Sequence, residues 1–445
     1  MMSVVRRGST AKALRRTLAV MCLLALVACS TPTGGTTTEP ATATTISESP
    51  TSSAEGTTTT NAEVVFDVGV TEDEVVFGAI TDLTGPFAAQ GIASSQGLQL
   101  AFDDINAAGG VCGRDLRVEI EDFGFDIQLG VAAYERLEPD VLSIIHTISA
   151  PLVNQLSPRL ADDSMLTLGT PISTHLGHPY LVVPTTLFSV DLINGLSWFA
   201  EEHGLAEGDV LAYIYFEGPV GEDTVEGVTY AANELGLELN SQQVQVTEAD
   251  LTAQVIAAQE AGASAFIVAT SPRQLASIVA VATGIGFDIP ILATTFSFDP
   301  SLLDTAVKDA LESRVDLVGS FGVYSSPDPG PTRVRELFEA QYPDQPRTFG
   351  VMNSFSQGIL AGEILARACQ NRDITRSGMQ EALQLLESVD TGGLVPLLDY
   401  SQPGRPPANQ SYIAEPDAEV DGGMRLAVPY FDTPIGISFV DTIAP

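Results

Sequence analysis

Short apolar runs alternate with stretches of helical period through most of this 445-residue chain. Runs rich in Val, Ile, Leu and Ala, bounded by Gly, Pro, Ser or Thr, read as strands buried on both faces. They fall at 75–80, 116–122, 141–147, 165–170, 181–186, 210–216, 264–270, 290–296 and 315–323. Between them apolar residues recur every three or four positions, the pattern of a helix with one buried stripe. Such stretches lie near 94–108, 128–138, 151–162, 188–203, 222–236, 251–261, 272–285, 332–341, 351–370 and 377–388. Strand followed by helix, many times over, predicts an α/β fold with parallel sheets covered by helices on both faces. The C-terminal part breaks the alternation, with two successive helical segments and then irregular Pro/Gly-rich sequence from 391.

The clearest unit runs from Gly78 to Arg114, GAITDLTGPFAAQGIASSQGLQLAFDDINAAGGVCGR. An apolar strand enters a loop carrying Thr84, Gly85 and Pro86. A helix follows with Leu98, Ala101, Phe102 and Ile105 on one face, and Gly109-Gly110 supply the positive φ that ends it. Residues 62–445 exceed what one hydrophobic core usually serves, so two lobes are expected.

The ends and the charge refine this picture. Residues 1–28 carry five basic residues (Arg6, Arg7, Lys12, Arg15, Arg16) and no acidic one. The apolar run Leu18 to Ala28 is too short to span a bilayer as a stable helix. It ends in Leu26-Val27-Ala28-Cys29, which resembles a bacterial lipobox. The expectation is a lipoprotein signal peptide over 1–28, lipidation at Cys29 and a lipid anchor to the membrane. An ordinary signal peptide with an incidental cysteine is the alternative, and Arg15-Arg16 leaves Sec and twin-arginine export both open. Residues 29–62 are almost all Thr, Ser, Glu, Pro, Ala and Gly beyond the cysteine, the composition of a disordered stalk. Beyond the leader, fifteen basic residues face 57 acidic ones, a net charge near −42, and Lys308 is the single lysine left. That field repels nucleic acid and anionic lipid, so neither is an expected partner.

The TGP loop and the DINAAGGV-G helix end resemble the opening unit of the type I periplasmic binding proteins. Within them the match is to the branched-chain amino acid and amide (Leu/Ile/Val-binding protein-like) group of ABC transporter substrate-binding proteins. The resemblance covers about 70–420, strongest in the first third. It implies two Rossmann-like lobes with parallel sheets, joined by a three-crossover hinge near 183–187, 318–325 and 393–400. Lobe one is then 70–184 plus 322–395 and lobe two 186–320 plus 400–420, leaving 421–445 as a C-terminal tail. It also places Cys112 and Cys369 in the same lobe. An isolated cysteine pair in an exported protein is more often bridged than free, so a Cys112–Cys369 disulfide is expected.

In open α/β sheets ligands bind beyond the carboxyl ends of strands, where helix N-termini present N–H groups. Ser149-Ala150-Pro151 and Thr270-Ser271-Pro272 follow strands in that manner, and either serine could simply cap its helix. The resemblance puts Ser149 where the family holds a ligand carboxylate, and Ser173 and Thr174 where a second contact falls. It also places Gly85, Pro86 and Gln90 on one wall of the crevice, with Gln90 where amino-acid binders often have an aromatic. Two departures fall in lobe two. Val220 stands where an aromatic is usual, and Thr294, Thr295 and Phe296 stand where an acidic residue receives the ligand ammonium. A buried ammonium without a carboxylate is costly. The ligand class therefore stays open among branched-chain amino acids, amides, urea-like compounds, short carboxylates and apolar acids. Glu217, Glu222 or Asp299 could supply the acid from a shifted position.

Catalytic chemistry finds little support. The four histidines are His146, His175, His178 and His203. No HExxH, CxxC, GxSxG or P-loop occurs. His175 and His178 read as polar loop surface rather than metal ligands, and Gly284-Ile-Gly286 as a helix end. Asp103-Asp104 and Asp162-Asp163 read as solvated helix faces. The expectation is a monomeric, extracytoplasmic solute-binding lipoprotein, not an enzyme, with no cofactor or metal. It would bind a small-molecule ligand and deliver it to an ABC permease. A ligand-sensing receptor of the same fold is the alternative, and a cleft hydrolase a more distant one.

Overall fold

The computed structural model of the protein describes residues 64–444. The expected leader, Cys29 and the stalk lie outside the described residues. The described residues fall in one compact unit. It begins with β1 (Val65–Phe66), β2 (Glu74–Thr81), α1 (Ala88–Ala107), β3 (Asp115–Asp122), α2 (Ile127–Leu137), β4 (Ile144–Thr147), α3 (Ala150–Asp162), β5 (Thr167–Leu168) and β6 (Leu181–Val182). Strands β2 to β6 pair in parallel in the order β3-β2-β4-β5-β6. All but the first residue of β2 are buried, which is what an apolar run at the centre of a parallel sheet requires.

The chain then enters the second lobe through 183–187. There follow α4 (Phe188–Glu202), β7 (Val210–Phe216), α5 (Pro219–Leu235), β8 (Glu238–Val244), α6 (Thr252–Glu260), β9 (Ala265–Ala269), α7 (Pro272–Gly284), β10 (Ile291–Thr294), α8 (Lys308–Arg314) and β11 (Val315–Gly319). It returns to the first lobe for α9 (Pro329–Gln341), α10 (Phe349–Asn371), β12 (Asp373–Ile374) and α11 (Arg376–Leu383). It ends in the second lobe with β13 (Ser411–Pro416), β14 (Met424–Phe431) and α12 (Pro434–Ile443). The second sheet has the order β14-β13-β11-β10-β9-β7-β8. Its first five strands in sequence are parallel, whereas β13 runs antiparallel to β11 and β14 antiparallel to β13.

Three features depart from the sequence reading. Strand β8, ELNSQQV, escaped detection because it is an edge strand with a mostly polar, part-exposed pattern. Residues 421–445, expected as a tail, supply the edge strand β14 and the helix α12, whose Phe439 and Val440 join the second lobe's core. The chain also stays with lobe one longer than expected, since Val395, Leu398 and Ala408 pack into its core and the second sheet is joined only at Ser411.

Helix α1 lies against α10, and small residues make the approach possible. A Cβ on Gly97 would stand 2.4 Å from the Val351 carbonyl oxygen, and one on Gly358 2.5 Å from Ala101 Cβ. The Cys112–Cys369 disulfide is present and joins the loop after α1 to the last turns of α10.

The three connections between lobes are tied to one another. The Tyr400 hydroxyl donates to the Val183 carbonyl at 2.9 Å, Thr186 Oγ1 to the Gln410 carbonyl at 2.7 Å, and Gly322 N–H to the Leu394 carbonyl at 2.6 Å. Buried Asp191 of α4 accepts from Ser320 Oγ at 3.0 Å and from Ser411 Oγ at 2.7 Å. One carboxyl group thus joins the second crossover to the third.

Candidate functional site

A cleft open to solvent lies where loops after the strands of both sheets face each other. Its first-lobe wall comes from Phe87 and Gln90 at the start of α1, Phe125 after β3, and Thr147 through Pro151 between β4 and α3. The loop after β5 adds Gly169, Thr170 and Pro171. The second-lobe wall comes from Phe216, Glu217, Pro219, Val220, Val246, Thr295 and Phe296. Phe188 and Phe321 enter from the crossovers, and Phe349, Asn353 and Gln357 from α10. Seven phenylalanines therefore line this cleft. Glu217 is the one acid among its lining residues, it is solvent-exposed, and no Lys or Arg contributes.

The aromatic rings are organised in pairs. Phe87 packs on Phe125 with centroids 4.7 Å apart, Phe188 on Phe296 at 4.9 Å, and Phe87 meets Phe216 edge-on at 6.5 Å across the lobes. Offset or tilted pairs at these separations add to the energy of area burial. Buried Asp82 explains how Phe87 reaches the cleft. Its carboxylate accepts from Gly85 N–H at 2.5 Å and Phe87 N–H at 2.8 Å, so the loop folds around it. A Cβ on Gly85 would lie 2.7 Å from both carboxylate oxygens. Gly85 and exposed Pro86 shape the loop and do not line the cleft.

The other sequence candidates divide in the same way. Gln90, Ser149, Ala150, Val220, Thr295 and Phe296 all line the cleft. Ser149 is also the N-cap of α3, its Oγ accepting from Leu152 N–H at 3.3 Å. Ser173, Thr174, Thr270 and Ser271 are not in the lining. Ser173 opens a short 3-10 turn and donates its N–H to Asp223 of α5 at 2.7 Å, while Asp223 also accepts from Ser189 N–H at 3.0 Å. Thr174 is exposed. Ser271 is occupied with Gln274, whose side-chain oxygen accepts from Ser271 N–H and Oγ, and Thr270 N–H donates to Ser297 Oγ. Gln274 Nε2 in turn holds the Gln245 and Glu248 carbonyls, which frame Val246 of the cleft.

The histidines correct one expectation. His175 is not loop surface. It is buried, with Nδ1 2.8 Å from the Thr170 carbonyl and Nε2 3.3 Å from Asn154 Oδ1, and burial pushes its pKa down to about 4. It pins the Thr170 loop to α3. His146, on β4, is also fully buried, and burial pushes it down to about 4. Among the described residues no group of three or more His, Cys, Asp or Glu is placed to hold a metal, and no helix is long and apolar enough to cross a membrane.

Sequence reasoning missed the phenylalanines at 87, 125, 188, 216, 321 and 349, together with Thr170, Asn353 and Gln357. A partial signal existed, since Phe216 ends β7 and Phe125 follows β3, at the strand ends where ligands bind. Nothing local marked α10, which reads as an ordinary core helix.

Residues 74–423 match the family model of the periplasmic binding proteins. The chain belongs to that family. The fatty acid ABC transporter substrate-binding protein from Thermomonospora curvata shares 31% identity and superposes with a TM-score of 0.81, over 85% of this chain and 97% of that one. A branched-chain amino acid ABC transporter protein from Thermus thermophilus with bound valine is 19% identical, with a TM-score of 0.71 over 83% and 99% of the chains, and shares the fold. The Leu/Ile/Val-binding protein BraC3 of Rhizobium johnstonii is 30% identical over 102 residues, 23% of this chain. The chain spans only 28% of that relative's length in the match.

Proposed function

We propose that this periplasmic binding protein is the lipid-anchored, extracytoplasmic substrate-binding component of an ABC importer, and that it carries an elongated apolar molecule with one small polar head, of the fatty acid class. The observation that carries the reading is the cleft lining: seven phenylalanines with Val220, Val246 and Ile148, and no basic residue. An α-amino acid needs a buried acceptor for its ammonium. Glu217 is exposed, and Thr295 and Phe296 occupy the place the resemblance assigns to the acid. Each methylene buried in such a cleft contributes about 0.8 kcal/mol, which favours a chain over a compact amino acid side chain. The named ligand class of the Thermomonospora curvata relative points the same way.

Closure of the two lobes would bury the ligand, and the membrane permease would receive the closed form. The Asp223 carboxylate, bonded to Ser173 of the first lobe, is suited to hold that form.

Thermal-shift and calorimetric titration of residues 61–445 against straight-chain acids from hexanoate to tetradecanoate, with leucine, isoleucine and valine as comparators, tests the ligand class. Affinity should rise by up to about fourfold per methylene until the cleft is filled. At a hundred times the dissociation constant the stabilisation is about 2.7 kcal/mol. The largest response to leucine, isoleucine or valine would sink the reading. The anchor is tested separately, by loss of membrane association in Cys29→Ser.

A further inference from the structure

We propose that Gln357 and Asn353, on the cleft-facing stripe of α10, recognise the ligand's head group as a carboxyl or carboxamide, with His146 positioning the Gln357 amide. The inference rests on the fatty-acid-class reading above and adds where the head lies and what reads it. Phe349, Asn353 and Gln357 follow one another at intervals of four, so they form one stripe on the helix, and all three line the cleft. The two amides are therefore neighbours on a wall that is otherwise mainly apolar.

His146 reaches Gln357 from beneath the cleft. Its Nδ1 lies 2.7 Å from Gln357 Oε1, and Thr81 Oγ1 lies 3.5 Å from its Nε2. A glutamine oxygen only accepts, so Nδ1 carries the hydrogen and the Thr81 hydroxyl donates to Nε2. Burial keeps the ring neutral, with the pKa pushed down to about 4, so one tautomer serves across the neutral range. With its oxygen engaged by the histidine, the Gln357 amide keeps its Nε2 hydrogens for an occupant of the cleft.

A second observation is independent of this chain of bonds. Asn353 Oδ1 and Thr170 Oγ1 are buried and have no hydrogen-bond partner, and both residues line the cleft. Leaving a buried polar atom unpaired is costly, so a purely apolar ligand would seal that cost in. A head with a carbonyl oxygen accepts from Gln357 Nε2, and a carboxamide or protonated carboxyl also donates to Asn353 Oδ1. The absence of Lys and Arg from the lining makes this recognition by neutral dipoles. At the N-terminus of α3 the Ala150 N–H is the amide left for a ligand. Pro151 has no N–H, Leu152 N–H is taken by Ser149 Oγ, and Val153 N–H by the Ser149 carbonyl.

The test compares dodecanoate, dodecanamide and dodecan-1-ol binding to residues 61–445 and to Gln357→Leu, Gln357→Glu and His146→Leu. Wild type should prefer the acid and the amide over the alcohol. Gln357→Leu should reduce that preference by about tenfold or more. Gln357→Glu keeps the shape and the acceptor for His146; it should weaken dodecanoate by a similar factor while sparing dodecanamide better. His146→Leu should erode the head-group preference while chain-length dependence persists, an effect that mere loss of packing would not produce. The nitrogen-15 shifts of His146 should report a protonated Nδ1, and an Nε2–H tautomer would refute the positioning role. If the Gln357 variants keep the wild-type preference, the inference falls while the fatty-acid reading stands. If wild type binds none of the three, both fall.

Discussion

Asp191 shows how much one side chain decides in this molecule. Its carboxyl is fully buried in the hinge, and burial pushes its pKa well above the ordinary carboxyl range, with Asp223 adding to the rise and the Ser411 and Ser320 hydroxyls opposing it. The folded protein holds this proton more tightly than the unfolded chain does. Asp191 therefore favours folding at low pH and costs stability as pH rises above the ordinary carboxyl range. An asparagine keeps the shape and a hydroxyl partner without the charge. Asp191→Asn should raise the melting temperature relative to wild type by more at pH 8 than at pH 4, and an equal difference at both would refute the account. Ser149 carries two roles that can be separated. Ser149→Ala should cost about 0.5–2 kcal/mol of stability through the lost cap of α3, measured by urea unfolding. It should also weaken an acid or amide ligand by about 1–3 kcal/mol if the hydroxyl touches the head. A stability loss with unchanged affinity would leave Ser149 a cap alone.

At the scale of elements, the α1–α10 contact places the head-group stripe. Gly97 lets the Val351 carbonyl approach, and Val351 lies two residues before Asn353. Gly97→Val should destabilise the fold by about 1–3 kcal/mol through overpacking, read by urea unfolding. Because it pushes on α10, ligand affinity should fall with it; an unchanged midpoint would show that the helices yield freely. The same elements show what was legible in sequence. β2 and α1 were readable because an apolar run and a helical stripe each follow from local spacing. The edge strand β8 was not, because its polar side chains serve one partner strand and solvent. β14 and α12 were hidden for a related reason. β14 completes a sheet begun two hundred residues earlier and α12 packs into that lobe's core, and nothing near 424–443 announces either partner.

The whole molecule is held by long-range ties. The Cys112–Cys369 bridge closes a segment of 257 residues that includes the entire second-lobe parallel sheet. Cross-links over long loops restrict the unfolded chain most, and losing one costs about 2–5 kcal/mol. Cys112→Ser with Cys369→Ser should lower the denaturation midpoint accordingly, while the ligand affinity of the folded protein changes little, since neither cysteine lines the cleft. A stability within error of wild type would show that the α1–α10 contact suffices.

The sequence alone determined the alternation of buried strand and amphipathic helix, hence the α/β class, two lobes, and a crevice beyond the strand ends. The alternation follows from periodicity over a few residues, the two lobes from chain length, and the crevice from the α/β class. The tertiary structure decided what fills the crevice. Its phenylalanines come from separate segments of both lobes and the crossovers, and its paired amides come from α10, which locally reads as core. His146 and Gln357 are 211 residues apart, so only the packed sheet and helix could bring the ring to the amide it orients.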